Sequence, residues 1–178
     1  GQKKKIVILS SNSDEAGAPR HCEMLIKALR DRYDFTFISG GKGPVHHRLG
    51  LSGVNAIWIP GLRSEINPFR DLFCFLAILI VIIRLRPDLL HLHSAKAGLL
   101  GRIIGSLLNI RTIYTVHGFP WRGMSEIKRK VIFRIEKFFA GLGSIDYILV
   151  SRDMRSEAEE KLGIDPVRLH VIHNGMEK

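Results

Sequence analysis

Apolar residues recur along this chain in two alternating periods. Ile6-Val7-Ile8-Leu9, flanked by Lys5 and Ser10, is a short, β-branched apolar run bounded by polar residues, the pattern of a strand buried on both faces. After a break at Ser11 to Gly17 the spacing changes to Cys22, Leu25, Ile26 and Leu29. This is one face of a helix, with Pro19 in its first turn, where the missing N–H does no harm. Further strands are predicted over Asp34–Ser39, Ala56–Ile59, Asp88–His93, Arg111–Val116, Ile145–Val150 and His170–His173. Further helices are predicted over Pro68–Leu85, Ala95–Leu108 and Ser125–Leu142, and from the N-cap Ser151 to Leu162, where Gly163 suits the position just past a helix end. On Ser125–Leu142 the expected core stripe is Ile127, Val131, Ile135, Phe138 and Leu142, and the stretch from Gly41 to Asn55 is expected to be loop. Strands alternating with helices of this length imply α/β class: an open, doubly wound, Rossmann-like parallel sheet of about seven strands, with helices on both faces.

The size fits that expectation. A chain of 178 residues, 46% of them hydrophobic, buries one sizeable core and is too short for two full domains. Its Gly and Pro are spread singly, which excludes collagen-like and low-complexity architectures. Cys22 and Cys74 lie far apart without metal-ligand spacing, so both are expected as reduced, buried thiols. The apolar run behind the basic N-terminus spans only Ile6 to Leu9, too short for a signal segment, and a cytoplasmic protein is expected. A net charge of +10 favours an anionic partner: a phosphorylated ligand, a nucleic acid or a lipid surface. No zinc finger, RNP motif or aromatic-basic platform supports nucleic acid.

One helix is unusual. Leu72 to Ile83 is continuously apolar, yet shorter than the roughly 20 residues needed to cross a bilayer. Its outer face therefore needs cover from the chain itself, from a second subunit of an oligomer, or from a membrane interface helped by Arg63, Arg70, Arg84 and Arg86. On Ser125–Leu142, Lys130, Arg134 and Lys137 form a stripe that with Lys128 and Arg129 makes a basic surface, either simply solvated or facing anionic lipid.

Ligands of open α/β sheets bind beyond the carboxyl ends of the strands, which directs attention to three loops. After the first strand, Ala16-Gly17-Ala18 is small enough for close approach while the following helix aims free N–H groups at an anion; the loop is not GxGxxG, which disfavours a dinucleotide. After the fourth strand come His91-Leu92-His93-Ser94-Ala95-Lys96. The two histidines alternate onto one face without an evident third metal ligand; His91 reads as structural, His93 as facing the cleft, and Lys96 as available to an incoming anion. After the fifth strand, His117-Gly118-Phe119-Pro120-Trp121-Arg122 combines a strand-end histidine, a glycine, two aromatics and an arginine, which together could hydrogen-bond a sugar or phosphate and stack on a sugar face.

At these loops the sequence resembles the N-terminal half of bacterial GT-B glycosyltransferases of the large retaining family four. The resemblance rests on residues 16–29 (AGAPRHCEMLIKAL), on 87–121 (PDLLHLHSAKAGLLGRIIGSLLNIRTIYTVHGFPW), and on VSRDMRSEAEEKLGID through VIHNG over 150–175. It implies that His117 is the active-site histidine contacting the donor sugar. It implies that Gly17 belongs to the donor phosphate loop, with Ala16 in place of the family's first glycine. It also implies that Arg20, His93, Ser94, Lys96, Gly118, Phe119, Trp121 and Arg122 lie on the acceptor side. Residues 1–175 then correspond to the N-terminal Rossmann-like domain and 176–178 to the start of a linker, the donor-binding domain with its Glu-x7-Glu motif being absent from this sequence. The implied reaction of the full enzyme is hexosyl transfer with retention from a UDP- or GDP-sugar to a glycan or polyprenyl-linked acceptor in cell-surface polysaccharide synthesis. No metal and no cofactor beyond the nucleotide-sugar co-substrate is implied, and the fragment alone is expected to be inactive. Peripheral contact with the inner face of the cell membrane stays open. So does the alternative of a non-catalytic, membrane-associated module that binds a glycan or partner. A sugar-nucleotide epimerase half would need cleft carboxylates, and only Asp14 and Glu15 are near.

Overall fold

A computed structural model describes residues 2–15, 17–63, 67–121 and 123–173. Seven strands form one parallel sheet: β1 Lys4–Ser10, β2 Tyr33–Ser39, β3 Asn55–Trp58, β4 Leu89–His93, β5 Arg111–Val116, β6 Ile145–Leu149 and β7 Leu169–Val171. Their spatial order is β3-β2-β1-β4-β5-β6-β7. Because the order reverses between β1 and β4, the crevice beyond the ends of these two strands is the topological switch point. Register carries the chemistry to one edge: Ser10 lies opposite His93, and His93 opposite Thr115.

The helices are α1 Ala18–Leu29, α2 Pro44–Leu51, α3 Pro68–Leu85, α4 Ala95–Leu107, α5 Glu126–Ala140 and α6 Arg152–Glu157, the last continued by a π-helical turn over Ala158–Leu162. Ser151 caps α6 by accepting from the Met154 N–H, and Gly163 closes the π turn in the left-handed region. The core has two parts. Cys22 and Ile26 of α1 and Val45 and Leu49 of α2 pack on one face of the sheet; α3 to α6 cover the other. Helix α4 lies especially close, because a Cβ at Gly98 would fall 2.5 Å from the Tyr114 ring, and Cβ atoms at Gly101 and Gly105 would overlap Leu92 and Thr112. Both cysteines are free and buried, as their spacing implied.

Two expectations need correction, and a third question, the cover of α3, is narrowed. The stretch from Gly41 to Asn55 is not all loop: Pro44–Leu51 is α2, which opens with proline and anchors by Val45 and Leu49, spaced i and i+4.

The expected stripe of α5 faces largely the wrong way. Ile127, Val131 and Phe138 are exposed, while Glu136, Phe139 and Ala140 point inward. The cause is Arg102 of α4, which is fully buried, sandwiched between the rings of Tyr114 and Phe139, and bound in two 2.7 Å hydrogen bonds to Glu136. A buried guanidinium requires a carboxylate, and rotating α5 supplies it.

Helix α3, finally, is covered by the chain on one side only. Cys74, Ile78 and Ile82 are buried, but Phe69, Leu72, Phe73, Leu76, Ile80 and Ile83 form an exposed row. Among the described residues, no helix is long and apolar enough to cross a membrane.

Candidate functional site

The switch crevice is built from the ends of β1, β4 and β5 and the start of α1. Its floor is tied by serines: Ser94 Oγ donates to Ser11 Oγ at 2.7 Å, and Ser11 Oγ accepts from the Ala97 N–H at 3.2 Å, capping α4 from the loop after β1. Ser94 has φ 70° and ψ 158°, a region nearly reserved for glycine, so this loop holds strain of about 1–3 kcal/mol. Gly17 precedes α1 at φ 66°, and α1 carries neither a side-chain N-cap nor an acidic residue in its first turn. Pro19 brings no N–H to that turn, and the His21 N–H already donates to the Gly17 carbonyl at 3.2 Å.

Four histidines meet above this floor. His91 and His93 project from alternate positions of β4 onto one face, their rings 4.4 Å apart; His117 follows β5, and His21 comes from the first turn of α1 with its ring 5.6 Å from both His93 and His117. His91 Nε2 lies 2.7 Å from Thr115 Oγ1, and His93 Nδ1 lies 3.2 Å from His117 Nε2. His93 is fully buried, and its Nε2 has no partner among the described residues.

These contacts assign tautomers. A buried N–H without an acceptor costs more than a buried lone pair without a donor, so neutral His93 carries its proton on Nδ1 and donates to His117 Nε2. His117 must then hold its own proton on Nδ1, which makes no hydrogen bond among the described residues. Burial favours the neutral forms. It lowers His91 to about 3, His93 well below the usual histidine value, and His117 and His21 to a lesser degree, with neighbouring rings adding to the effect for all but His21. The group is thus a neutral hydrogen-bonding array with a donor left on His117.

Three of the other expected site residues, Lys96, Phe119 and Trp121, are engaged elsewhere. Lys96 is not available to an incoming anion: it is mostly buried, pairs with Asp71 of α3 and donates to the Gly61 carbonyl at 3.1 Å. Phe119 and Trp121 do not offer open faces to a sugar. Both are 6% exposed and stack on each other at 4.3 Å, and the Trp121 indole N–H donates to Glu157. Gly118 is exposed beside His117. Arg20 is exposed and pairs with Glu15 at 3.5 Å. Lys128, Arg129, Lys130, Arg134 and Lys137 are all exposed on α5. Ala16, Arg122 and the Asn174-Gly175 crossing lie outside the described residues.

The acidic residues near the crevice are bound to arginines. Asp14 pairs with Arg63 at 3.1 Å, and Glu15 pairs with Arg48, whose hydrogen bond holds that carboxyl below its usual range. Arg48 also binds Glu23 at 2.6 Å and holds it at about 2. A proton-abstracting pair of carboxylates, as an epimerase would use, is not assembled among the described residues. His21 was missed in the sequence, where it sits beside the core residue Cys22; its signal is its place in the first turn after the glycine loop.

The sequence profile of Glycosyltransferase Family 4 matches residues 16–177. The chain belongs to glycosyltransferase family 4. It is 26% identical over 148 residues to the Escherichia coli UDP-Gal:alpha-D-GlcNAc-diphosphoundecaprenol alpha-1,3-galactosyltransferase, covering 83% of this chain and 38% of the relative. Among solved structures, a glycosyltransferase from Rickettsia africae superposes with a TM-score of 0.72 at 18% identity, over 99% of this chain and 44% of that one. Anabaena HepE in complex with UDP and glucose also gives 0.72, at 19% identity, over 98% and 45%. The family 4 chain therefore spans less than half the length of these relatives and has the fold of an N-terminal GT-B domain.

Proposed function

We propose that this family 4 domain forms the acceptor side of a retaining hexosyltransferase, which moves a sugar from a UDP- or GDP-linked donor to a polyprenyl-linked glycan in cell-surface polysaccharide synthesis. One observation carries the reading: His117 stands at the switch crevice with one ring nitrogen engaged by buried His93 and the other left as a donor. A neutral donor fixed in this way can hydrogen-bond a sugar hydroxyl without forming a counter-ion, which suits a reaction in which alignment and charge stabilisation outweigh covalent help from the protein. The small Gly17 loop at the start of α1 supports a place for the donor phosphates, and Ser94 borders the same crevice. The reading includes no metal, with the leaving phosphate assisting the acceptor hydroxyl. The names of the relatives support the substrate classes: one transfers from UDP-Gal to a diphosphoundecaprenol-linked sugar, and another was solved with UDP and glucose.

The test uses the full-length protein encoded by the gene, assayed against a panel of UDP- and GDP-sugars with anomeric analysis of the product. His117→Ala should keep its fold and lose at least about a hundredfold in turnover. Turnover retained in that variant would remove His117 from the active site, and an inverted product would exclude the retaining reaction.

A further inference from the structure

A second concavity lies away from the crevice. A cavity of about 420 Å³ opens between α5 and the π turn after α6, walled by Trp121 and Phe133 and rimmed by Arg129, Lys130, Arg134 and Lys161. Its wall is braced by contacts: Trp121 is stacked on Phe119 at 4.3 Å, meets Phe133 edge-on at 5.6 Å and is hydrogen-bonded to Glu157.

The charges at the rim do not balance. Lys130 pairs with Glu126 and Lys161 with Glu157, but the guanidinium groups of Arg129 and Arg134 make no ion pair or hydrogen bond among the described residues. Two arginines facing one concavity without a counter-ion repel each other unless an anion joins them, and guanidinium forks bind phosphate oxygens in pairs. At 3.6 residues per turn, Ile127, Val131 and Phe138 follow Lys130 and Arg134 within about the next third of a turn around α5, and all three are exposed. An apolar rim thus adjoins the cationic cavity, which fits an anionic amphiphile.

We propose that this cavity holds the diphosphate of a polyprenyl-linked acceptor, its apolar chain lying over Ile127 and Val131. The inference rests on the acceptor class proposed above. It separates two phosphate sites: the first turn of α1 lies on the opposite face of the sheet from α5, so donor and acceptor diphosphates do not compete. It also links the acceptor to the chemistry, because Trp121 in the cavity wall and His117 at the crevice belong to one loop.

Calorimetric titration of the full chain with farnesyl diphosphate, inorganic pyrophosphate and farnesol tests the site. Farnesyl diphosphate should bind more tightly than pyrophosphate, and farnesol should not bind measurably. Arg129→Gln and Arg134→Gln should each weaken farnesyl diphosphate by about tenfold. Lys128→Gln and Lys137→Gln, which remove the same charge from the same helix outside the cavity, should change it less than about twofold. These positions are exposed, so the variants should fold. Equal losses in both sets would show diffuse attraction and overturn the site. Equal binding of pyrophosphate and farnesyl diphosphate would overturn the lipid assignment, and absence of farnesyl diphosphate binding would overturn both.

In the full-length enzyme, the Arg129 and Arg134 variants should lose turnover on a diphosphate-lipid acceptor and keep it on the corresponding free sugar. Equal loss on both acceptors would count against the cavity. If wild-type enzyme transfers to neither, the transferase reading fails, while the titrations still decide the cavity.

Discussion

His93 Nδ1 approaches His117 Nε2 to 3.2 Å, and His93 has no exposed surface. The buried ring therefore sets which nitrogen of the half-buried ring carries the proton. His93 does not reach the crevice through its own polar atoms; it acts through His117 as a positioning residue.

His93→Phe preserves a ring in the stack with His91 but removes the donor. His117 is then free to place its proton on Nε2 or to rotate. Turnover of the full-length enzyme should fall about tenfold, the value of one hydrogen bond to an aligned group. In the isolated chain, the ¹⁵N shifts of the His117 ring should move from an Nδ1–H pattern toward the Nε2–H form that free histidine favours. Unchanged shifts would show that His93 does not set the tautomer.

The same burial makes stability depend on pH. Unfolded histidine takes a proton near 6.5, whereas burial lowers folded His91 to about 3 and folded His93 also well down. Between those limits the unfolded state binds more protons, so stability is full above about 6.5 and declines as pH falls toward 3. Each ring should contribute up to about 1.4 kcal/mol per pH unit once the pH is a unit below 6.5. Glu23, held at about 2 by Arg48, begins to matter only below its usual 4.5, so urea unfolding between about pH 6.5 and 5 isolates the histidines. His91→Phe should make the slope in that window shallower, the rest coming from His93 and from the smaller downward shifts of His21, His46 and His117; an unchanged slope would mean that His91 protonates without unfolding.

Arg102 and Glu136 give a sharper stability test. Both are buried, and their two 2.7 Å hydrogen bonds join α4 to α5 beneath the rings of Tyr114 and Phe139. Glu136→Leu leaves a buried guanidinium without its carboxylate and should cost about 3–5 kcal/mol in chemical denaturation. Adding Arg102→Met removes the stranded charge and should recover most of the loss. Additive losses in the double variant would show that the pair is not coupled.

This pair also marks where the sequence stopped being legible. The strands could be read because a parallel strand buried on both faces needs a run of apolar residues, as in Ile6 to Leu9. Rows of apolar residues exist on two sides of α5, and only the distant demand of Arg102 selects the side that turns inward. Helix α2 carries just Val45 and Leu49 toward the core between glycines and histidines, too weak a period to separate from loop. In the site, His93 and His117 could be found because they end strands. The burial of Phe119 and Trp121 depends on Phe133 and Glu157, which come from other elements, and no local pattern announces it.

The exposed row of α3 leads to the last prediction. Phe69, Leu72, Phe73, Leu76, Ile80 and Ile83 leave an apolar stripe uncovered, with Arg84 in the last turn of the helix. The chain's own described residues do not cover it, and a membrane interface and a second subunit are two covers that experiment can tell apart. A membrane interface is favoured by the cations of α5, on the same face of the sheet, each worth about 1 kcal/mol near an anionic leaflet. In flotation assays the chain should therefore bind vesicles rich in phosphatidylglycerol better than phosphatidylcholine vesicles, and binding should weaken with salt. Phe73→Ser with Leu76→Ser should weaken binding to both lipids, since it removes apolar area worth about 25 cal/mol per Å². Lys128→Gln with Lys137→Gln should weaken binding to the anionic vesicles only. If the α3 variant leaves flotation unchanged but converts a sedimenting dimer to monomer, the stripe is a subunit interface, and α3 takes no part in membrane contact.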